Sequence, residues 1–93
     1  MIQIEDRHLQ IVKNILNKYP YVFYAYGSRA KQVARPNSDL DICFMDQIPF
    51  NIQSLIEEEF EESDLPFTVD LTDFNLMSVD FQNIIKNDLK RLF

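Results

Sequence analysis

The chain has 93 residues, of which 46% are hydrophobic and 13% aromatic, so it is long enough to bury a core but too short for two ordinary domains. Fifteen acidic against nine basic residues give a formal net charge of −6, which would repel a phosphate backbone and argues against a direct nucleic-acid partner. The single cysteine, Cys43, excludes an internal disulfide and a CxxC metal site. The sequence has no apolar run of 18 residues and no basic-then-apolar leader, so we expect one cytoplasmic domain over residues 1–93, without a membrane partner.

The N-terminal part predicts a helix, a strand and a short second helix. Between residues 4 and 19, apolar residues recur at helical spacing until Pro20 ends the pattern. The aromatic and β-branched run 21–26 predicts a central strand that ends at Gly27, the only glycine in the chain. Residues 28–34 are then expected to form a short helix before Pro36.

The C-terminal part predicts two more strands and two more helices. Residues 39–45 and 66–72 are the expected strands, and a helix capped by Asn51 runs through Glu62 between them. A final amphipathic helix is indicated by Phe81, Ile84, Ile85, Leu89 and Leu92. This order of elements predicts a small α/β sandwich, in which a mixed β-sheet carries helices on one face.

Three carboxylates are expected to meet on the other face of this sheet. Because side chains alternate along a strand, Asp39 and Asp41 project from one face while Leu40 and Ile42 project into the core. In the third strand the same alternation places Asp70 opposite the core residues. If the two strands are neighbours, the three acids converge.

Converging carboxylates need a cation or raised pKa values at neutral pH. Oxygen-only ligands favour Mg²⁺ or Mn²⁺, and Mg²⁺ commonly completes its shell with water and substrate phosphates, which points to a nucleotide. Gly27 fits this interpretation because a glycine between a strand and a helix lets a phosphate approach the backbone closely. Ser28 adds a hydroxyl at the same place.

Each of these signals has a plainer explanation. With nine aspartates in the chain, one Asp-x-Asp pair is expected by chance, and such a pair can simply keep a strand edge soluble. Asp70 can be a solvent-facing acid, and Arg29, Lys31 and Arg35 can be surface charges instead of phosphate ligands. The acidic stretch 57–63 is either a solvated helix face or a surface for a basic partner.

The combination nevertheless resembles the nucleotidyltransferase superfamily related to DNA polymerase beta. The signature of that superfamily is Gly-Ser, ten residues and Asp-x-Asp, and here Gly27 and Ser28 are followed by residues 29–38 and then Asp39 and Asp41. Asp70 in FTVDLT matches the third acid of the family. The stretch 27–42 is most similar to the minimal nucleotidyltransferases that act as antitoxins in HEPN/MNT toxin–antitoxin pairs.

The resemblance implies transfer of AMP from ATP to a hydroxyl, a tyrosine above all, of a partner HEPN-domain ribonuclease toxin, within a hetero-oligomer. It implies that Asp39, Asp41 and Asp70 hold two Mg²⁺ ions, with Asp70 as the proton acceptor, and that Gly27, Ser28 and Arg29 bind the ATP. One departure is Gln32, which stands where the family usually has glycine.

Two other functions stay open at this point. The chain could be an antitoxin that neutralises its toxin by complex formation without catalysis, or a subunit that adenylylates a small molecule such as an antibiotic. Its shortness favours a protein acceptor, because no second domain encloses a small substrate.

Overall fold

The computed structural model describes residues 2–35 and 37–92. They form three α-helices, one short 3₁₀-helix and four strands: α1 Asp6–Leu16, β1 Phe23–Tyr26, β2 Leu40–Phe44, α2 Phe50–Glu61, β3 Val69–Asp73, the 3₁₀-helix Phe74–Leu76, α3 Val79–Ile85 and β4 Lys90–Arg91. None of the helices in these two ranges is long and apolar enough to cross a membrane.

The four strands form one mixed sheet in the order β3-β2-β1-β4. β1 pairs antiparallel with both β2 and β4, whereas β2 and β3 run parallel. A parallel pair requires a long crossover connection, and α2 provides it between β2 and β3. The predicted mixed sheet is therefore confirmed.

The main core lies between one face of the sheet and the two longer helices. Alternate residues of the central strands β1 and β2 point into this layer and meet apolar residues of α1 and α2. The core residues of these elements are Val12, Ile15, Leu16, Phe23, Ala25, Leu40, Ile42, Phe44, Ile56 and Phe60. The predicted packing of helices on one face thus holds for α1 and α2.

Glu59 of α2 connects the two helices of this layer. Its carboxylate accepts hydrogen bonds from the Lys18 ammonium and the Tyr19 hydroxyl, both just beyond the end of α1. These bonds fix the point at which the chain leaves α1 and turns toward β1.

The shorter helix α3 packs on the opposite face of the sheet. Its Ile85 is buried against Tyr26 and Cys43, and the Phe81 ring meets the Tyr26 ring edge to face with centroids 6.1 Å apart. Cys43 is completely buried there, and burial raises the pKa of its thiol to about 11. α3 covers this second face over β1 and the centre of β2.

The predicted C-terminal helix was too long. α3 ends at Ile85, and after a turn the short edge strand β4 follows at Lys90–Arg91. Leu92 explains the change: its N–H donates to the Phe23 carbonyl, and its side chain is buried in the main core. Because α3 lies on the other face of the sheet, Leu92 reaches that core only from an edge strand.

The predicted start of α2 was also wrong, by two residues. The helix begins at Phe50 after Pro49, and Asn51 lies inside its first turn without acting as the cap. Among the described residues no side chain caps this helix start, and the fixed φ of Pro49 directs the chain into the first turn.

Candidate active site

Gly27 directly follows β1 in a conformation that strongly favours glycine. Its φ is +77°, in the left-handed region. A Cβ at this position would lie 2.4 Å from Oδ2 of Asp41, far inside van der Waals contact. Sequence reasoning attributed the glycine to phosphate binding; the structure shows that the Asp41 carboxylate already requires it.

Asp41 and Asp70 lie side by side on the open part of the second sheet face. The parallel register of β2 and β3 pairs Asp41 with Asp70, so the two neighbouring strands bring these predicted site residues together. Asp39 precedes β2 and is exposed. Residues 39, 41 and 70 form no ion pair with a basic side chain in the part of the chain that the structure describes.

The environment of Asp41 disfavours its charged form. Partial burial, followed by the negative charges of Asp70 and then Asp39, raises the pKa of Asp41 from 3.8 to about 6. The negative charges of Asp70 and Asp39 therefore both act on Asp41. A bound cation would remove this repulsion.

Tyr26 forms the wall of the site beside Asp41. The two residues are paired in the antiparallel register of β1 and β2, and the Tyr26 side chain is buried. Burial raises the pKa of the Tyr26 phenol above 10.0, while a side-chain hydrogen bond with Thr72 acts in the opposite direction. At neutral pH the phenol is neutral and adds no charge to the carboxylates.

The donor chemistry at this place fits a hard divalent cation, because the three side chains offer carboxylate oxygens alone. The kind of ligand atom therefore suits such a cation, whereas the positions of these three side chains do not form a complete ligand set. Over residues 2–35 and 37–92, no three His, Cys, Asp or Glu side chains are arranged to hold a metal ion. Asp41 and Asp70 are neighbours, and assembling a ligand set with exposed Asp39 requires side-chain movement.

Residues 28–33 form a single helical turn instead of the predicted short helix. The N–H of Val33 donates to the Ser28 carbonyl and that of Gln32 to the Arg29 carbonyl, which is the hydrogen-bond pair of a Schellman motif. In this motif the residue at the position of Gln32 is left-handed, and Gln32 has φ 60°. Gln32 thus adopts the conformation for which glycine is the usual residue.

Arg29 has a structural role in this loop. Its buried guanidinium donates to the carbonyl oxygens of Ser38 and Gln3 and lies 4.2 Å from the centre of the Phe67 ring. These contacts join the segment before β2 to the N-terminus and to the segment before β3. Arg29 is therefore a positioning residue here, and its predicted contact with ATP stays a prediction.

The other predicted nucleotide ligands differ in their position. Ser28 directly follows Gly27 and is half-buried. Lys31 lies 3.6 Å from Asp88, and Arg35 lines a separate depression on the side of α1. The structure does not bring Lys31 or Arg35 to the carboxylates.

A cavity of about 650 Å³ opens in front of Asp41 and Asp70. It continues along β3 toward α2, and Tyr26, Thr72, Glu57 and Glu61 also line it. Sequence reasoning did not assign Thr72 to the site, although its position two residues after Asp70 places it on the same strand face. Glu57 and Glu61 gave a weaker signal as part of the acidic stretch 57–63.

Comparison with known proteins agrees with this geometry. Residues 10–93 match the family described as "Polymerase beta, Nucleotidyltransferase". The chain is 40% identical over 89 residues to a Haemophilus influenzae protein called "Probable protein adenylyltransferase MntA", covering 91% of this chain and 78% of the relative.

Two solved structures share the fold. One is the crystal structure of a toxin–antitoxin with AMP-PNP, with a TM-score of 0.66, 23% identity, and coverage of 91% of this chain and 72% of the other. The second is a mutant of the toxin–antitoxin MntA-HpeT, with a TM-score of 0.59, 19% identity, and coverage of 91% and 71%. The fold and family predicted from the Gly-Ser and Asp-x-Asp motifs are confirmed, and the chain belongs to the polymerase beta nucleotidyltransferase family of enzymes.

Proposed function

We propose that the chain is a Mg²⁺-dependent antitoxin that transfers AMP from ATP to a hydroxyl of a partner HEPN toxin, with tyrosine as the acceptor. The observation that carries the proposal is the pairing of Asp41 with Asp70 at an open cavity, beside the glycine that Asp41 contacts. The name of the Haemophilus influenzae relative and the nucleotide analogue in the toxin–antitoxin structure support it. Both proteins are expected to meet in the cytoplasm.

In this proposal Asp39, Asp41 and Asp70 hold two Mg²⁺ ions. Bound Mg²⁺ supplies charge neutralisation of the triphosphate and lowers the pKa of a nearby hydroxyl. Asp70 is the exposed member of the central pair, so it is the one accessible to an acceptor and takes its proton. The acceptor oxygen forms a bond to the α-phosphorus of ATP as the bond to pyrophosphate breaks.

Gly27 and Ser28 are proposed to bind the ATP phosphates. Ser28 follows the left-handed Gly27 and begins the turn that Arg29 holds in place. The Ser28 hydroxyl and the backbone N–H groups of this turn directly follow Gly27 in sequence. Gly27 is the residue that lies against the Asp41 carboxylate, so these donors are the ones we propose for the phosphates. Arg29 stabilises this loop by donating hydrogen bonds to the carbonyl oxygens of Gln3 and Ser38.

The test is AMP transfer to the purified partner. The partner is incubated with ATP and Mg²⁺ and either the wild-type chain or Asp39→Ala/Asp41→Ala, and the intact mass of the partner is measured. The wild type should add AMP, and the variant should lose transfer by several orders of magnitude because it lacks two carboxylates of the site. Asp64→Ala/Asp80→Ala, which removes two exposed carboxylates elsewhere, is the matched control. A partner that gains no AMP mass from the wild type contradicts the proposal.

A non-catalytic antitoxin is the second candidate. It is favoured by the absence, within the described ranges, of a ready group of three metal ligands. That candidate predicts that wild type and Asp39→Ala/Asp41→Ala suppress toxicity equally in cells, without AMP on the partner.

A further inference from the structure

The strand β3 has one free edge. It is the outer strand of the sheet, and in the described part of the chain only β2 pairs with it. The Thr68 carbonyl accepts from the Leu40 N–H, so the backbone groups of Thr68 and Asp70 face β2 and those of Val69 and Leu71 face outward. Gln53 of α2 donates to the Leu71 carbonyl, and Val69, whose N–H and C=O face outward, lines the cavity.

The cavity beside this edge has an apolar floor and an acidic rim. Its apolar lining comes from Phe60, Leu65, Phe67, Val69 and Leu71. Glu57 and Glu61 lie one helical turn apart on α2 and form its rim on the core side of the sheet, and neither forms an ion pair within the described residues. At its other end the cavity reaches Asp41 and Asp70.

We propose that this groove binds an extended segment of the acceptor protein as an added strand on the edge of β3. The inference rests on the proposed function, because it names the segment that carries the acceptor hydroxyl. The residue with the hydroxyl points to Asp41 and Asp70, and basic residues directly before and after it point to Glu57 and Glu61.

The alternation of side chains along a strand gives this pattern. Asp41 and Asp70 lie on one face of the sheet, and α2 with Glu57 and Glu61 packs on the other. In an added strand, a residue facing the carboxylates therefore has neighbours facing α2. Lysine and arginine fit there because their aliphatic stems cover the apolar floor while their charged ends reach the glutamates.

The negative charge of the groove favours a basic segment over a second copy of this chain. A second copy of this chain would bring a further net charge of −6 against an acidic rim, so pairing of two β3 edges is disfavoured. A basic extended segment satisfies both the outward backbone groups of Val69 and the charges of Glu57 and Glu61.

The first experiment measures peptide binding by calorimetry, without ATP or Mg²⁺. The probe is Thr-Ser-Lys-Tyr-Lys-Ser-Thr, and the control replaces both lysines by glutamate. The wild-type chain should bind the lysine peptide at least tenfold more tightly than the glutamate peptide. Glu57→Lys/Glu61→Lys should lose this binding tenfold or more, while Glu58→Lys/Glu62→Lys, with the same charge change at exposed positions of the same helix end, should bind like wild type.

Backbone methylation tests the strand geometry itself. Alternate N–H groups of an added strand face β3. One modified peptide is therefore N-methylated at both lysines, and a second is N-methylated at the two serines and the tyrosine. The affinities of these two peptides should differ at least tenfold. Equal effects, or no binding of the unmodified lysine peptide at millimolar concentration, overturn the inference.

The full partner separates this inference from the proposed function. If the wild type transfers AMP to the partner and Glu57→Lys/Glu61→Lys does so equally well, the groove is not the acceptor site although the enzyme is active. If the wild type transfers no AMP, the proposed function fails, and selective binding of the lysine peptide would still establish the groove as a peptide site.

Discussion

The carboxylate of Asp41 on β2 lies so close to the Cα of Gly27, which directly follows β1, that these two residues form one structural unit. A Cβ on residue 27 would lie 2.4 Å from Oδ2 of Asp41. The glycine and the second acid of the sequence signature are therefore linked by direct contact, in addition to any contact each has with a nucleotide.

Gly27→Ala should destabilise the chain and displace the Asp41 carboxylate. The left-handed φ of +77° costs alanine about 1 kcal/mol, and the new Cβ forces the carboxylate to rotate. We expect the same substitution to cost less in an Asp41→Ala background, because the atom that clashes is then absent. Urea unfolding of the four chains of this double-mutant cycle measures the coupling. Equal costs in the two backgrounds would show that the contact has no energetic consequence.

Asp41→Asn should stabilise the chain at neutral pH and above. The folded pKa of Asp41, about 6, lies above its ordinary value of 3.8, so ionisation between these values destabilises the folded state. Replacing the acid should raise the free energy of unfolding at pH 8 by about 1 to 2 kcal/mol, after allowance for solvent screening. The advantage should shrink as the pH falls through 6 and vanish near 4.

Denaturant unfolding at several pH values from 4 to 8 checks this sign. Asp64→Asn, at an exposed position outside the cavity, is the control and should differ little from wild type throughout. A stability gain for Asp41→Asn that grows toward acid pH would contradict the prediction.

Gln32→Gly should make the chain more stable than Gln32→Ala. Both variants remove the glutamine side chain, so their difference isolates the left-handed backbone at φ 60°. Glycine adopts this conformation without a Cβ penalty, and the expected difference is about 1 kcal/mol in the free energy of unfolding. Thermal or urea unfolding measures it. Equal stability of the two variants would mean that the turn opens at this residue.

Arg29→Lys should destabilise the chain although it preserves the charge. A lysine ammonium cannot reproduce the planar donor set that reaches the carbonyls of Ser38 and Gln3, nor the stacking on Phe67. The loss should be about 2 kcal/mol in urea unfolding. The matched control is Arg35→Lys at an exposed position, which should change stability by less than about 0.5 kcal/mol.

The sequence correctly predicted the elements in which the apolar residues spaced along the chain are also the residues that pack in the core. β1 and β2 carry alternating core residues, and α1 carries a continuous apolar stripe, so each was found near its observed bounds. The C-terminal helix was overestimated because Leu89 and Leu92 continue a helical spacing although they pack on opposite faces of the sheet. Periodicity along the chain does not reveal on which face of a sheet a residue will lie.

The site was predictable where it depended on strand alternation. Asp41 and Asp70 meet because two neighbouring strands expose the same face, as their patterns indicated. The role of Arg29 could not be predicted, because its carbonyl partners are Gln3 and Ser38, far from each other in sequence. The contact that requires Gly27 was likewise invisible, since it depends on the side-chain position of a residue in the next strand.

Cys43 gives this chain a built-in chemical reporter. It is the only cysteine, it lies two residues beyond Asp41 on the same strand, and α3 buries it completely. With a pKa of about 11, almost none of the thiol is in the reactive thiolate form at pH 8. A thiol reagent therefore reacts only after α3 detaches from the sheet or the sheet unfolds. Unfolding of the sheet exposes more surface, so the reaction rate then depends more steeply on urea concentration. Without any labelling mutation, the same reaction repeated with the partner bound would show whether complex formation slows the opening of the strand that carries Asp41.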